Sequence, residues 1–321
     1  MNISLGVLMD PIQAINTRKD STFAMLLEAQ SRGWKLLYME QKDLNLKNNH
    51  VMTHCRQLSV TDNTENWFEF GEQQELPVSE LDVVLMRKDP PFDMNYIYTT
   101  YLLELSGTLV VNNPQTLRDA NEKLSTAWFP QCCAPTLVSS DATEFIHFID
   151  EQQDIIVKPL DGMGGASIFR IRQQDPNTNV ILETLTEHGK RPVMAQRFIP
   201  EISEGDKRIL IVNGETVPYS LARIPKEGEN RGNLAAGASG VGMPLTERDH
   251  WICQQVAPEL KKRGILFAGI DVIGDYLTEI NITSPTCIRE LDKLFDLNIS
   301  AMLMDAIEDR LKTKFKESHT S

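Results

Sequence analysis

A lysine followed closely by three glycines is the first feature of this sequence that could do chemistry. Lys158 ends an apolar run, and Gly162, Gly164 and Gly165 follow within seven residues, although not as GxxxxGK[ST]. Glycine lets backbone N–H groups approach a ligand closely, and successive N–H groups in a turn can bind phosphate oxygens. The pattern predicts a phosphate-binding loop over residues 160–167. An ordinary glycine-rich hairpin with a surface lysine is the alternative.

A second candidate site combines two carboxylates and an amide. Asp271 precedes the pair Gly274-Asp275, and Glu279 and Asn281 follow it. Residues two apart on a strand share a face, so Glu279 and Asn281 lie together. A three-residue loop would add Asp271 to that face, whereas a two-residue loop would put it on the other. Such oxygen ligands suit Mg²⁺, with Mn²⁺ as a substitute. The alternative is a solvated strand face.

Cationic side chains and a long glycine-rich segment complete the chemistry-bearing set. Arginine offers a planar fork for carboxylate and phosphate groups, although each cation alone could be an ordinary surface charge. Residues 224–242 are rich in glycine and alanine, which predicts either a flexible surface loop or a lid that excludes water. The cations are Lys123, Lys158, Arg208, Arg223, Arg231 and Arg289.

The elements that must position these residues differ between the two halves of the chain. Up to about residue 122, apolar strand patterns alternate with helical ones, which predicts βαβ units and a parallel sheet. The first turn lacks GxGxxG, so no dinucleotide fingerprint is present. The predicted strands are Ile3–Met9, LLYM, Leu81–Arg87 and Thr108–Asn112, and the predicted helices are IYTTYLLEL and one capped by Asp20 or Ser21 that stops at Gly33.

The second half predicts antiparallel strands. DIIVKPL and SIFRIR flank the glycine loop as a hairpin, and Asn213-Gly214 is a strong hairpin signal. Helices are expected at Leu245–Arg263 and from Ile299 to about residue 316. We therefore predict an α/β domain over residues 1–122 and an α+β domain over residues 123–321.

Composition excludes several classes of protein. With 32 basic and 45 acidic residues the net charge is −13, which disfavours a nucleic-acid partner because such a protein needs a basic face. Five cysteines without a CxxC pair indicate neither a disulfide framework nor a zinc site. No stretch approaches the roughly 18 apolar residues of a membrane span, and no signal peptide is recognisable. We expect a cytoplasmic enzyme.

Longer motifs point to one family. They are MDPIQAINTRKDSTFAMLLEAQ, MRKDPPFD, NPQTLRDANEKL, KPLDGMGGASIFR, ARIPKEGENRGNLAAG and LTEINITSPTCIRE. On these the chain resembles the bacterial glutathione synthetases of the ATP-grasp superfamily along nearly its whole length. The resemblance implies a parallel-sheet α/β domain followed by an ATP-grasp fold with antiparallel sheets.

The resemblance also implies roles for individual residues. The ATP phosphates would be held by Lys123, Lys158 and the loop with Gly162, Gly164 and Gly165, the adenine would lie near Gln196, Arg197, Phe198 and Ile199, and the sugar near Asp206. Mg²⁺ would be held by Asp271, Glu279 and Asn281, and the reacting groups would be stabilised by Arg208 and Arg223. Substrate carboxylates would be bound by Arg231, Ser284, Thr286 and Arg289, and a dipeptide would be held with the help of Asp10, Arg18 and Arg87.

The implied reaction joins γ-glutamylcysteine to glycine, converts ATP to ADP and phosphate, and passes through an acylphosphate. It needs no nucleophilic side chain, so the five cysteines would be bystanders. The resemblance further suggests a homotetramer. A different ATP-grasp ligase would share the fold and the ATP site. A nucleotide-binding protein without turnover is the alternative from another class, and it would be expected to have a damaged metal set.

Overall fold

The computed structural model describes residues 2–88, 90–161, 165–226, 232 and 239–318. In this part of the chain three sheets are formed. The first sheet has the order β3-β4-β2-β1-β6-β7, with β5 paired to β4. Its strands are β1 (Ser4–Leu8), β2 (Lys35–Met39), β3 (Leu44–Lys47), β4 (His50–Val60), β5 (Phe68–Pro77), β6 (Val83–Met86) and β7 (Leu109–Val111).

The centre of the first sheet is parallel, as predicted. Strand β1 pairs in parallel with β2 and β6, and β6 pairs in parallel with β7. Helix α1 (Ser21–Ser31) begins at Asp20, whose carboxylate accepts from the backbone N–H of Phe23 at 2.7 Å. Such a cap satisfies an N–H group that otherwise has no partner in the helix. The carboxyl ends of these strands and the start of α1 therefore lie together.

The sheet also has an antiparallel extension that the sequence reasoning did not predict. Strand β4 pairs antiparallel with β2, β3 and β5. Buried and exposed positions alternate along much of β4, which is the pattern of a half-buried strand. The first sheet is therefore mixed: its centre is parallel, and the additional strands lie on one side.

The second sheet is small and antiparallel. It contains β8 (Thr136–Ser139), β9 (Asp154–Pro159), β10 (Phe169–Arg172) and β11 (Val193–Arg197), in the order β10-β9-β11-β8. Strands β9 and β10 form the predicted hairpin, with Val157 opposite Phe169. Helices α4 (Ala142–Gln152) and α5 (Thr178–Leu185) supply Phe145 and Leu182 to a core that belongs to this sheet alone.

The third sheet is antiparallel and carries most of the candidate site. It has the order β14-β13-β12-β15-β16. The predicted turn at Asn213-Gly214 joins β12 to β13, with positive φ at both residues, as a tight hairpin turn requires. Its strands are β12 (Asp206–Val212), β13 (Glu215–Ile224), β14 (Ser239–Pro244), β15 (Phe267–Ile273) and β16 (Tyr276–Asn281).

The first and third sheets share their hydrophobic cores. One core joins Phe23 of α1 to Leu303 on α8 (Ile299–Ser318), and another joins Leu8 of β1 to Ile270 of β15. The remaining helices are α2 (Met94–Leu105), α3 (Pro114–Asp119), α6 (Glu247–Lys262) and α7 (Ile288–Phe295). Among the described residues, no helix has both the length and the apolar character that crossing a membrane requires.

Candidate active site

A deep cavity of about 790 Å³ is lined by residues from all three sheets. One wall comes from the ends of strands in the first sheet, a second from β9 and β11, and a third from β12, β13, β15 and β16. The predicted site residues on this lining are Lys123, Lys158, Gly165, Gln196, Arg197, Phe198, Ile199, Asp206, Arg208, Arg223, Asp271, Glu279, Asn281, Ser284 and Thr286.

Cross-strand pairing on the third sheet brings two arginines and two aspartates together. Arg208 lies opposite Asp271, and Asp206 lies opposite Arg223. Arg208 binds Asp271 through two hydrogen bonds of 2.5 and 3.0 Å. Arg223 contacts Asp271 at 2.9 Å and Asp206 at 2.5 Å. Gly269 makes room for this arrangement, because a Cβ there would lie 2.9 Å from Cδ of Arg208. These four side chains are the arginine cluster.

The two aspartates of the arginine cluster differ in their acidity. Burial opposes the charge of Asp271, but Arg208 and Arg223 outweigh that effect and lower its pKa to about 2. For Asp206, burial dominates over the attraction of Arg223 and raises the pKa to about 7. Asp206 Oδ1 is buried and has no hydrogen-bond partner among the residues that the structure describes. The cluster therefore combines one firmly charged carboxylate with one whose charge is costly to maintain.

Two lysines converge on Glu279 from other parts of the chain. Lys123 Nζ lies 3.7 Å from Glu279 Oε1 and also binds Glu122. Lys158 Nζ lies 3.9 Å from the same Glu279 oxygen and 3.4 Å from the carbonyl of Thr278. Burial lowers the pKa of Lys158, although Glu279 opposes this. Burial also opposes the charge of Lys123, but Glu279 and Glu122 outweigh it and raise its pKa. Lys123 and Lys158 form the lysine pair.

The candidate metal residues share one face through a route that the sequence did not reveal. The β15–β16 turn has only two residues, Gly274 and Asp275, and a bulge follows in which Thr278 is unpaired. The extra residue restores the register, so Asp271 lies directly opposite Glu279. Bulges of this kind redirect side chains, and here one brings both carboxylates to the cavity.

The oxygen donors fit a divalent cation. Asp271 accepts from both arginines, but each carboxylate oxygen has two lone pairs, so capacity for a metal is left. Asn281 adds an amide group whose nitrogen lies 3.3 Å from Asp271 Oδ2. Within the described ranges, no group of three or more His, Cys, Asp or Glu side chains could hold a metal. A site here therefore depends on the amide oxygen of Asn281 as well as the two carboxylates.

One end of the cavity is largely apolar. Gln196 at the end of β11 donates to Thr136 at 3.1 Å, and Arg197 donates to the hydroxyl of Tyr276 at 2.8 Å. Both polar side chains thus have protein partners beside the cavity. The apolar lining consists of Ile156, Ile168, Phe198, Ile199, Ile202 and Ile273. This end suits a flat, weakly polar group.

The opposite wall comes from the first sheet and the loop after β16. Arg87 follows β6 and is held by Thr22 at 3.0 Å and by the carbonyl of Pro285 at 2.9 Å. Ser284 donates to the carbonyl of Arg87 at 3.4 Å. These contacts tie the end of a parallel strand to the loop after β16, so this wall joins the first and third sheets.

A few predicted residues are not brought to the cavity. Arg289 pairs with Asp62 at 2.8 Å, and Arg18 is also absent from the lining. The family resemblance placed Arg289 in the loop after the metal strand. In the structure Arg289 belongs to the first turn of α7, and its guanidinium reaches Asp62 in the loop after β4. Gly162, Gly164 and Arg231 lie outside the described residues, as does most of the predicted lid.

Sequence reasoning also missed several lining residues. Asp20 was recognised as a helix cap only, and burial raises the pKa of its carboxyl. All five cysteines are free, as predicted, but Cys287 is buried in the wall beside the arginine cluster, where burial raises its thiol pKa. The only sequence feature that marked Asp20 was its position just before a helix, and this feature predicts a cap rather than a cavity wall. The missed lining residues include Asp20, Thr22, Glu122, Thr278, Cys287 and Glu290.

Comparisons with known proteins agree with this geometry. The family model of the prokaryotic glutathione synthetase N-terminal domain matches residues 3–118, and that of the ATP-grasp domain of the same family matches residues 122–296. A glutathione synthetase from Shewanella oneidensis is 60% identical over 96% of this chain and 99% of its own length. One from Escherichia coli K12 is 58% identical over 97% and 99%, respectively.

Solved structures give the fold. A crystal structure of a D-cycloserine synthetase superposes with a TM-score of 0.65 at 15% sequence identity, covering 96% of this chain and 99% of its own. Together with the ATP-grasp family model over residues 122–296, this superposition identifies the three-sheet architecture as that of the ATP-grasp enzymes, as predicted. The chain belongs to the prokaryotic glutathione synthetase family. The prediction of an ATP-dependent, glutathione-forming ligase is confirmed.

Proposed function

We propose that the cavity joins γ-L-glutamyl-L-cysteine to glycine and couples this to conversion of ATP into ADP and phosphate. The observation that carries the proposal is the meeting of the arginine cluster, the lysine pair and three oxygen donors in one cavity with an apolar end. Carboxylate activation needs compensation of phosphoryl charge and positioning more than a protein nucleophile. We assign residues 1–122 to an N-terminal domain and residues 123–321 to the ATP-grasp domain.

Lys123 and Lys158 bind the phosphates of ATP in this proposal. Both ammonium groups are buried beside Glu279. Burial penalises the charge of Lys158, so an anion brought next to it gains more than it would in water. Residues 160–167 cover the phosphates, with Gly162, Gly164 and Gly165 supplying backbone N–H groups.

The base and sugar of ATP occupy the apolar end. Gln196, Arg197, Phe198 and Ile199 follow one another at the end of β11 and contact the adenine through backbone groups and the Phe198 ring. The side chains of Gln196 and Arg197 have protein partners, and the N–H groups of Arg197 and Phe198 donate to the carbonyls of Pro135 and Asp154. The base is therefore contacted by the other backbone groups of this stretch and by the Phe198 ring. Asp206, whose Oδ1 has no partner in the described part of the chain, accepts from a sugar hydroxyl.

Asp271, Glu279 and Asn281 would hold Mg²⁺, or Mn²⁺ in its place. A bound divalent cation neutralises phosphate charge and polarises the phosphoryl oxygens. The protein's own contribution is to hold Asp271 in place through Arg208 and Arg223 and to present Glu279 opposite it.

Arg208 and Arg223 stabilise charge during the chemistry. A carboxylate oxygen of γ-glutamylcysteine attacks the γ-phosphorus of ATP, and ADP leaves. The glycine amine then attacks the acyl carbon, phosphate leaves, and the amine loses a proton. Each step develops negative charge on oxygen, and fixed guanidinium groups lower such barriers without reorganising. The acylphosphate must be shielded from water, which residues 224–242 accomplish as a lid.

Substrate carboxylates bind near the loop after β16. Ser284 and Thr286 line the cavity there, and Arg87, held by Thr22 and Pro285, lies on the same wall. Arg231 and Arg289 complete the proposed set. To reach the substrate, Arg289 would have to break its ion pair with Asp62, and ion pairs near the surface contribute little free energy. Asp10, Arg18 and Arg87 help to hold the dipeptide.

The proposal is tested by measuring ADP release from the purified protein. Mg²⁺, ATP, γ-glutamylcysteine and glycine are supplied together, and each is then omitted in turn. We expect ADP only when both substrates are present, with glutathione formed in equal amount. Glu279→Ala should then abolish both products. Intact ATP binding without ADP release from this substrate pair would overturn the substrate assignment and leave the nucleotide site standing.

We also propose that the chain forms a homo-oligomer, a tetramer by the resemblance, in the cytoplasm. Helix α2 exposes Met94, Tyr98, Tyr101 and Leu105, which are spaced along one face of the helix. Two copies of a chain with net charge −13 repel one another, so a nearly uncharged, apolar face is the natural contact. Tyr98→Glu with Leu105→Glu should lower the mass measured by light scattering.

A further inference from the structure

A stacked arginine lies behind the aromatic residue at the apolar end of the cavity. Arg170 on β10 places its guanidinium carbon 3.4 Å from the centroid of the Phe198 ring. Phe198 lines the cavity, whereas Arg170 is not part of the lining. A planar guanidinium against an aromatic face is an attractive arrangement that depends on orientation. Arg170 thus covers one face of the ring from outside the cavity.

Asp154 holds both members of this stack. Its carboxylate accepts from Arg170 through two hydrogen bonds of 2.9 and 2.5 Å, a fork-to-fork pair. Its backbone carbonyl accepts from the N–H of Phe198 at 2.9 Å. One residue at the start of β9 therefore fixes the guanidinium of a neighbour on β10 and the backbone of a neighbour just after β11.

The carboxylate of Asp154 also forms an ordinary, exposed ion pair with a second arginine of β10, which allows a comparison. Arg172, two residues farther along β10, lies 3.7 Å from Asp154 and has 67% of its side chain exposed. The side chain of Arg170 is 24% exposed. Exposed pairs contribute little because both side chains are mobile and solvated. Only Arg170 combines two short hydrogen bonds with contact to the ring, so it is the arginine that can fix the ring's orientation.

We propose that Asp154 and Arg170 are positioning residues for the nucleotide: they hold the Phe198 ring as a rigid wall against which the base packs. The proposal rests on the function proposed above, since it concerns the same ATP site. A ring free to rotate must lose that freedom when a ligand binds, and a ring already fixed avoids this cost. These two residues, called the clamp, act on the base and sugar end, whereas the lysine pair acts on the phosphates.

Steady-state kinetics with Arg170→Met and Arg172→Met test the proposal. Methionine keeps an unbranched side chain and removes the charged fork in both variants. We expect Arg170→Met to raise the KM for ATP about tenfold, equivalent to ~1.4 kcal/mol, with the KM values for γ-glutamylcysteine and glycine unchanged. Inhibition by inorganic tripolyphosphate, which lacks a base, should also be unchanged. Arg172→Met should behave as the wild type.

A double-mutant cycle then separates positioning from general support of the sheet. Once Phe198 is replaced by leucine, Arg170→Met should have no further effect on the KM for ATP, because the two residues act through one contact. Arg170→Lys, which keeps the charge but not the planar stack, should recover only part of the loss.

Two results would overturn the clamp. One is equal behaviour of Arg170→Met and Arg172→Met. The other is a rise in the KM for γ-glutamylcysteine, or in the inhibition constant of tripolyphosphate, as large as that for ATP, which would indicate disturbance of the whole site. Failure of the wild-type protein itself to bind ATP would instead contradict the proposed function, so the two failures are distinguishable.

Discussion

The arginine cluster and Lys158 face the same cavity but hold their charges in different ways. Arg208 and Arg223 are linked to Asp271 by short contacts within one sheet. The contacts of Lys158 to Glu279 and to Thr278 are longer, at 3.9 and 3.4 Å. Accordingly the pKa of Arg208 is raised by Asp271 despite the opposing burial, whereas burial lowers the pKa of Lys158.

This difference indicates which charges belong to the scaffold and which serve a ligand. An ion pair with good geometry is assembled on folding, and breaking one member leaves the other uncompensated. A buried ammonium with distant partners costs free energy until an anion arrives. We infer that the arginine cluster is pre-assembled with the third sheet, and that Lys158 gains its full compensation only from bound phosphate.

Replacing Arg208 by methionine should cause the largest loss. It leaves the buried Asp271 with one arginine, so we expect the free energy of unfolding in urea to fall by about 3–5 kcal/mol and ligation to be lost. Arg208→Lys should recover only part of the lost free energy of unfolding, because an ammonium cannot reproduce the bidentate pair. Unchanged stability in both variants would mean that the cluster is not part of the scaffold.

Lys158→Met should separate function from stability. Without the ammonium we expect kcat/KM for ligation to fall by about 10²–10³, the typical loss of a charge-stabilising donor. The free energy of unfolding of the ligand-free protein should be unchanged or higher, because a costly buried charge has been removed. Urea unfolding and ADP release measure the two quantities. If Lys158→Met destabilised the protein as much as Arg208→Met, the distinction between Lys158 and the arginine cluster would fail.

Sequence patterns predicted the parts of this site that depend on local rules. Alternation and the Asn213-Gly214 turn placed β12 and β13, and this pairing brings Asp206 opposite Arg223. Asp20 and Ser21 were the two candidate caps of α1, because a capping side chain acts within one helical turn, and Asp20 is the cap. The parallel centre of the first sheet followed from the alternation of strands and helices.

Features that depend on irregular pairing or distant packing could not be predicted in the same way. The bulge at Thr278 has no distinct sequence signal, so the face of Asp271 relative to Glu279 was undecided. Strand β5, which pairs with β4, has no buried position, so its hydrophobic pattern is weak. Cys287 reaches the cavity only because α7 packs beside the third sheet.

The pH dependence of stability offers a finer test within the arginine cluster. The folded pKa of Asp206, about 7, lies above its ordinary value of 3.8. The folded state therefore binds the proton more tightly, and this stabilisation is complete below pH 3.8 and lost as the pH rises through 7. Asp271, with a pKa of about 2, has the opposite sign: its stabilisation is present above pH 3.8 and lost as the pH falls through 2.

Asp206→Asn should remove the stabilisation that Asp206 loses as the pH rises, and leave the stabilisation that Asp271 loses at low pH. In the ligand-free protein we expect the wild type to lose stability relative to the variant between pH 4 and 7, measured as the difference between two urea-unfolding series. Because both series share every other titrating group, the difference isolates Asp206. A difference that does not vary with pH would show that Asp206 is ionised throughout this range.

The smallest expected effect concerns the proposed lid. Gly232 lies against the arginine cluster, and a Cβ there would come within 2.6 Å of the Asp206 Cβ and 2.8 Å of the Arg223 carbonyl. Gly232→Ala must therefore displace the backbone at this point, and we expect ADP release to exceed glutathione formation severalfold as water reaches the acylphosphate. Gly240→Ala is the matched control, because the nearest atoms to its Cβ would belong to the Leu221 side chain, at 3.3 Å, and not to backbone. Equal coupling in both variants would mean that close approach of residue 232 to the cluster does not protect the intermediate.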